Sequence, residues 1–500
     1  MSQTLTEGTG TGAADATSAA TSKRRWWILS IIGIAQLMVV LDATIVNIAL
    51  PSAQADLGFS DGNRQWIVTA YSLAFASLLL LGGRIADLFG RKPAFLVGVA
   101  GFAGASVLGG ASTSFGMLVT ARALQGVFGA LLAPAALSLL NTTFTDAKER
   151  AKAFSVYGAI AGAGGAVGLL LGGVLTDALD WRWTLFVNLV FAVVAFAGGW
   201  VLLSNHRDAA GSKLDLPGTL LVSTGLFAVV FGFSNAETHD WSSPATWGFL
   251  LAGALLLTAF VWWQTRAKHP LLPMRVLLDR NRAASFLAVL ITGAGMFGVF
   301  LFLTYYLQLN LGFSPTKTGV AFLPMMATLM VMAQVSTTIL VPRIGPKAVI
   351  PAGFAVAAVG MAWLTGIGMG SSFSTDVLPQ VLLIGAGLGM VMPPAMSLAT
   401  SGIAAEDAGV ASATVNTMQQ VGGSIGTALL NTLAASAATS YLVGKDATNK
   451  LVQAQSTIES YTTAFWWSAG FFAAGALIAL VLYTRGKPAQ DPEAAPVVHM

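Results

Sequence analysis

The chain is 500 residues long, 55% hydrophobic and only 10% charged, with a formal net charge of +4. Soluble proteins carry roughly 25% charged residues, so this composition excludes an ordinary soluble domain, and the absence of basic stretches interleaved with aromatics excludes a nucleic-acid surface. Cysteine is absent, the four histidines fall in loops or the tail, and no Walker sequence occurs, so disulfides, a zinc site, other cofactors and ATP-driven work are not expected.

Residues 1–25 are rich in Ser, Thr, Gly and Ala and read as a disordered cytoplasmic tail. Lys23, Arg24 and Arg25 then precede an apolar run from Trp26 to Leu50. That run exceeds the core of a signal sequence, usually about 7–15 residues, so it is expected to be a retained first span. A membrane helix needs about 20 mostly apolar residues. On that scale spans are predicted at 26–50, 65–83, 93–112, 115–140, 153–175, 183–203, 216–234, 246–264, 284–310, 318–340, 347–369, 378–400, 409–436 and 462–483. The fold class is therefore an all-α integral membrane protein of 14 transmembrane helices. Lysines and arginines test the map. With the N-terminus inside, 20 of the 26 fall on inner segments and 5 on outer loops. That bias is the positive-inside pattern for both termini cytoplasmic and for an even number of spans in the cell membrane.

An internal repeat divides the chain. Leu57-Gly58-Phe59-Ser60 returns as Leu311-Gly312-Phe313-Ser314, and Gly129 with Pro134 and Ala135 returns as Gly389 with Pro394 and Ala395. The expected organisation is a six-helix half over 26–204, two inserted helices with inner linkers over 205–282, a second six-helix half over 283–484 and a tail over 485–500. Two halves related by an axis along the membrane normal are the architecture of a rocking secondary transporter. Both halves lie on one chain, so a monomer is expected to suffice.

Two ionisable residues lie deep inside spans. Asp42, in the first span, is followed by Asn47; Arg122, in the fourth, is followed by Gln125. An intramembrane carboxylate costs several kcal/mol, so it faces a cavity, pairs or binds a proton. Packing alone is the competing reading. Asp42 is the candidate proton carrier and Arg122 its candidate modulator: direct pairing favours the carboxylate, whereas separation releases it to take a proton. Other polar and adaptable side chains suit a substrate cavity: Asn47, Gln125, Tyr305, Tyr306, Gln308, Asn416, Gln419 and Gln420.

Several motifs carry a family resemblance. Gly83-Arg84-Ile85-Ala86-Asp87-Leu88-Phe89-Gly90-Arg91-Lys92, between spans 2 and 3, resembles the signature loop of the major facilitator superfamily, with Leu88 where the family usually has a basic residue. Leu41-Asp42-Ala43-Thr44-Ile45-Val46-Asn47 is similar to the first-span signature of its fourteen-span drug:proton antiporters. Arg122-Ala123-Leu124-Gln125-Gly126 resembles their fourth-span motif, and Gly164, Gly168, Gly172 and Gly173 their fifth-span antiporter motif, with Leu169 in place of the usual proline. Trp181-Arg182-Trp183 with Val187-Asn188 also fits that subfamily. The resemblance implies alternating access, gating by Gly83, Asp87, Gly90, Arg91, Lys92 and the span-5 glycines, and export of hydrophobic or cationic compounds in exchange for protons. Two other classes compete: a transporter of another substrate, such as a metabolite or siderophore exporter, and a non-transporting sensor or lipid-handling protein. An enzyme is not expected, because no nucleophile–base or metal constellation shares a membrane depth.

Overall fold

The computed structural model describes residues 11–60, 63–144, 146–204, 215–239, 241–268, 270–401, 403 and 408–484. Among the described residues fourteen long helices follow one another: α1 (Thr11–Leu57), α2 (Gln65–Phe89), α3 (Arg91–Gly110), α4 (Phe115–Thr143), α5 (Ala147–Ala178), α6 (Trp183–Leu202), α7 (Leu216–His239), α8 (Pro244–Gln264), α9 (Arg280–Tyr305), α10 (Pro315–Val335), α11 (Pro346–Leu364), α12 (Leu378–Thr400), α13 (Ala408–Leu442) and α14 (Lys450–Leu482). Each overlaps one predicted span. Among the described residues, thirteen helical segments are long and apolar enough to cross a membrane. The helix that falls short is α13, which carries Thr414, Asn416, Thr417, Gln419, Gln420, Ser424, Thr427, Asn431 and Thr432. Much of that polar surface is covered by α9, α2, α7 and α14, which pack around it.

The repeat in the sequence is a repeat in the packing. In the first half α1 packs on α4, α5 and α6, while α4 packs on α2 and α3 and α6 on α3. In the second half the helices eight places later make the same pairs: α9 with α12, α13 and α14, α12 with α10 and α11, and α14 with α11. The turns match as well. Gly58 (φ 66°) and Gly312 (φ 64°) follow α1 and α9, and Gly90 (φ 104°) and Gly345 (φ 81°) break the chain before α3 and α11. A positive φ is open to glycine without steric cost, which is why the matched turns carry the same residue.

The halves meet along two seams, α2 with α13 and α5 with α10. The insert closes the first of these from the side, because α7 packs on both α2 and α13 and the Ser223 hydroxyl donates to the Ser77 carbonyl at 2.5 Å. Asp215, just before α7, holds the insert together. Its carboxylate accepts from the Gly218 amide (3.0 Å), the Trp263 indole (2.7 Å) and Gln264 (2.7 Å), while Gln264 accepts from the Leu272 amide (2.9 Å). Burial pushes the Asp215 carboxyl up, but the donors from Gln264, Trp263 and Gly218 outweigh it and hold the group below its ordinary range.

The halves are latched at the end of the bundle remote from the chain termini, here the distal end. Arg64 donates to Asn431 at 3.2 and 3.3 Å and lies over the Tyr305 ring at 4.4 Å. Tyr305 donates to Gln54 (2.6 Å), Gln308 to the Ile48 carbonyl (3.0 Å) and the Thr316 amide to Asp177 (2.8 Å). Toward the termini α5 faces open space at Gly158 and Gly165, where an added Cβ would meet nothing within 4 Å.

Candidate functional site

Asp42 sits about two thirds of the way along α1 with no exposure to solvent, and Arg122 on α4 is 2% exposed. The two pair directly, Arg122 Nη1 to Asp42 Oδ2 at 2.5 Å. The other carboxylate oxygen, Oδ1, accepts from Gln125 Nε2 and from Asn188 Nδ2, each at 2.7 Å. Both amides also donate to the Ser106 hydroxyl on α3, at 2.7 and 3.2 Å. Arg122 in turn donates to Gln125 Oε1 (2.8 Å) and to the Ile67 carbonyl on α2 (3.0 Å), and its guanidinium lies 4.5 Å above the Tyr71 ring.

The arrangement follows from helix geometry. Arg122 and Gln125 are three residues apart, so they share a face of α4. The carboxylate thus receives three donors, from Arg122, Gln125 and Asn188. All described partners of the pair come from the first half. Asp42 thus points from α1 toward α3, α4 and α6, away from the second half. Beside it lies a small cavity lined by Val46, Ala49, Leu50, Leu118, Thr184 and Arg122 among others, with room for about one water molecule.

The remaining sequence-predicted residues are spread more widely. Asn47 is buried but donates to the Ala43 carbonyl of its own helix at 3.2 Å. Tyr305 and Gln308 belong to the distal latch, and Gln308 lies in the π-helical turn Tyr306–Asn310. Tyr306 turns into the second half, where its hydroxyl donates to the Gly368 carbonyl at 2.9 Å. Asn416 donates to Ser412 in its own helix, and Gln419 and Gln420 are half-buried nearby on α13. The structure joins Gln125 to Asp42 and Arg122 but does not gather the other candidates around them. In the loop motif, Gly83 faces Pro134 and Gly90 makes the break between α2 and α3, after which Arg91 and Lys92 open α3. Lys92 donates to the Trp200 carbonyl at 2.6 Å. Asp87 is in the last turn of α2, and its side chain lies outside the described residues.

The span-5 glycines have a contact reason. A Cβ on Gly168 would stand 2.0 Å from Thr44 Oγ1, one on Gly172 2.8 Å from the Ile45 carbonyl, and one on Gly173 2.5 Å from the Pro315 carbonyl of the other half. Gly164 faces Leu37 and Val40. Gly422 and Gly426 on α13 repeat the crossing against Leu290 and Ala294 of α9. Gly172→Val is expected to wedge α1 from α5 and destabilise the protein by about 1–3 kcal/mol, whereas Gly158→Ala, on the same helix in open space, should be near neutral. Thermal unfolding in detergent checks the pair; equal effects would make these glycines mere filler.

The sequence profile of the Major Facilitator Superfamily matches residues 32–427. The chain belongs to this superfamily. It is a multi-pass membrane transporter rather than an enzyme. Major facilitator relatives include the puromycin resistance protein pur8 of Streptomyces alboniger, 49% identical over 470 residues that cover 94% of this chain and 93% of the relative. The tetracenomycin C resistance and export protein of Streptomyces glaucescens is 36% identical over 414 residues, 83% of this chain and 76% of that one. Among solved structures, an auto-inhibited POT family peptide transporter matches with a TM-score of 0.67 at 15% identity, over 94% of this chain and 99% of the other. At that identity the likeness speaks for the fold alone.

Ser106 and Tyr71 join the site without a sequence signal, and Asn188 with none beyond the motif in which it stands. Each is a neutral side chain of a type common in membrane helices, and none breaks the hydropathy pattern as a charge does.

Proposed function

We propose that the protein exports a hydrophobic or amphipathic antibiotic-like compound in exchange for protons. The observation that carries this reading is the Asp42–Arg122 pair, ionisable and buried within the span of the bundle. The antibiotic resistance and export relatives support the substrate class and the direction. The charge bias supports termini in the cytoplasm, and on that orientation the distal latch closes the outer side.

The cycle then runs as follows. Substrate enters from the cytoplasmic side while Asp42 is ionised and held by Arg122, Gln125 and Asn188. Breaking of the distal contacts at Arg64–Asn431, Tyr305–Gln54 and Gln308–Ile48 opens the outer side. A proton then neutralises Asp42 and weakens its hold on Arg122, substrate leaves, and the protonated carrier returns and discharges inward. Purified protein in proteoliposomes tests this with puromycin as the probe. An imposed proton gradient should drive puromycin against its concentration, and puromycin should drive proton movement the other way. Puromycin flux indifferent to the proton gradient would overturn the coupling, and the absence of any puromycin flux the assigned substrate class.

A further inference from the structure

We propose that protons reach Asp42 along one face of α6, by a passage inside the first half that the substrate does not share. The inference rests on the proton-coupled reading above and adds the route.

Three observations converge on it. The first is direction. Every hydrogen-bond partner described for the Asp42 carboxylate comes from α4 or α6, and the adjoining cavity is lined by first-half residues alone, with Val46, Ala49, Leu50 and Ala53 on its α1 side. Those α1 positions follow Asp42 in sequence, so the cavity extends from the ion pair toward the distal end. Arg122 is its one charged wall residue.

The second is a polar stripe. Trp181, Thr184 and Asn188 stand at i, i+3 and i+7 across the start of α6, which places them on one side and spans about 10 Å at 1.5 Å per residue. Trp181 and Thr184 line the cavity, and Asn188 touches Asp42. At the mouth the Trp181 ring is 4% exposed, and its indole N–H donates to Asp56 Oδ2 at 3.2 Å. Arg182 lies 4.6 Å over that ring and pairs with Asp56 at 2.8 Å and with Asp180 at 3.4 Å. The side chain of Asp56 is 45% exposed. An exposed carboxylate thus stands over an aromatic plug, with the cavity, a hydroxyl and an amide below it. The charged and titratable groups along the passage are Asp56, Asp180 and Arg182 at the mouth and Arg122, Tyr71 and Asp42 at the floor.

The third is an orphan acceptor. Asn188 is fully buried and its Oδ1 has no hydrogen-bond partner among the described residues, although Nδ2 serves both Asp42 and Ser106. A buried amide oxygen without a donor is costly. Half a turn of the amide gives it two donors once Asp42 is protonated. Arg122 rather than Asp42 lines the cavity, so in the step Arg122 withdraws, and a hydronium entering from the cavity transfers its proton to Asp42 Oδ1 and remains as water. The new O–H and the Ser106 hydroxyl then both donate to Asn188 Oδ1. Asn188 is a positioning residue that presents Nδ2 to the ionised carboxylate and Oδ1 to the protonated one, its other amide atom taking the unpartnered position each time.

The test fills the cavity from two helices that lie off the stripe, with Ala49→Leu and Leu118→Phe made separately in the full chain. Proteoliposomes report gradient-driven puromycin transport and, without a gradient, puromycin–puromycin exchange, which needs no proton to cross. In the filled variants gradient-driven transport is expected to fall about tenfold, a change of roughly 1.4 kcal/mol in barrier, with exchange kept within about twofold. Wild-type gradient-driven rates in both variants would overturn the route, and so would equal loss of both activities in both variants. Wild-type protein that exchanges puromycin but ignores the gradient would defeat the coupling reading itself, an outcome separable from failure of the route.

Discussion

Asp42→Asn is expected to give a folded protein that binds puromycin and exchanges it but cannot concentrate it. One proton moved across 100 mV is worth about 2.3 kcal/mol, which sustains a concentration ratio of about fifty. In the variant that ratio should fall to one. The fold should survive because Asn imitates the protonated carboxyl: its oxygen still accepts from Arg122, and Arg122 keeps Gln125 and the Ile67 carbonyl. If protonated Asp42 is a working intermediate, the site already tolerates a neutral group there. The ratio of puromycin across the vesicle wall at steady state measures the effect, and a preserved ratio would remove Asp42 from the coupling step.

Arg122→Met should have the opposite character, a large loss of stability that depends on pH. The substitution leaves the Asp42 carboxylate buried without a cation, which typically costs about 3–5 kcal/mol. The sign with pH is definite. A protonated carboxyl no longer needs the cation, so the penalty is greatest in alkaline solution and eases as the pH falls. The double variant Asp42→Asn with Arg122→Met should therefore be more stable than Arg122→Met alone, a rescue that additive losses would contradict. Thermal unfolding of the solubilised single and double variants across pH measures both effects.

Features that depend on hydrophobicity were legible in the sequence. The span positions, the repeat around Gly58 and Gly312 and the exceptional character of Asp42 and Arg122 all follow from which residues lipid tolerates. What the sequence left open was orientation about each helix axis. It could not decide whether Asp42 and Arg122 touch, because that depends on the rotation of α1 against α4, which the packing against α5 and α3 sets. The same limit explains Tyr305 and Gln308. Their composition suited a cavity wall, but the rotation of α9 turns them onto Gln54 and Ile48 of the first half. The polarity of α13 had only a faint signature, because its cost is relieved by neighbours distant in sequence.

The polar character of α13 also bears on how the chain enters the bilayer during synthesis. A segment with so many amides and hydroxyls gains little by leaving the insertion machinery alone. It is better accommodated against α9, already inserted before it, and α14, which emerges after it. The first half, whose six helices all pass the apolar test, can be threaded one helix at a time. α13 is thus committed late, together with α14, and a chain ending between Gly444 and Lys450 would hold α13 in the membrane without one of the helices that shield it.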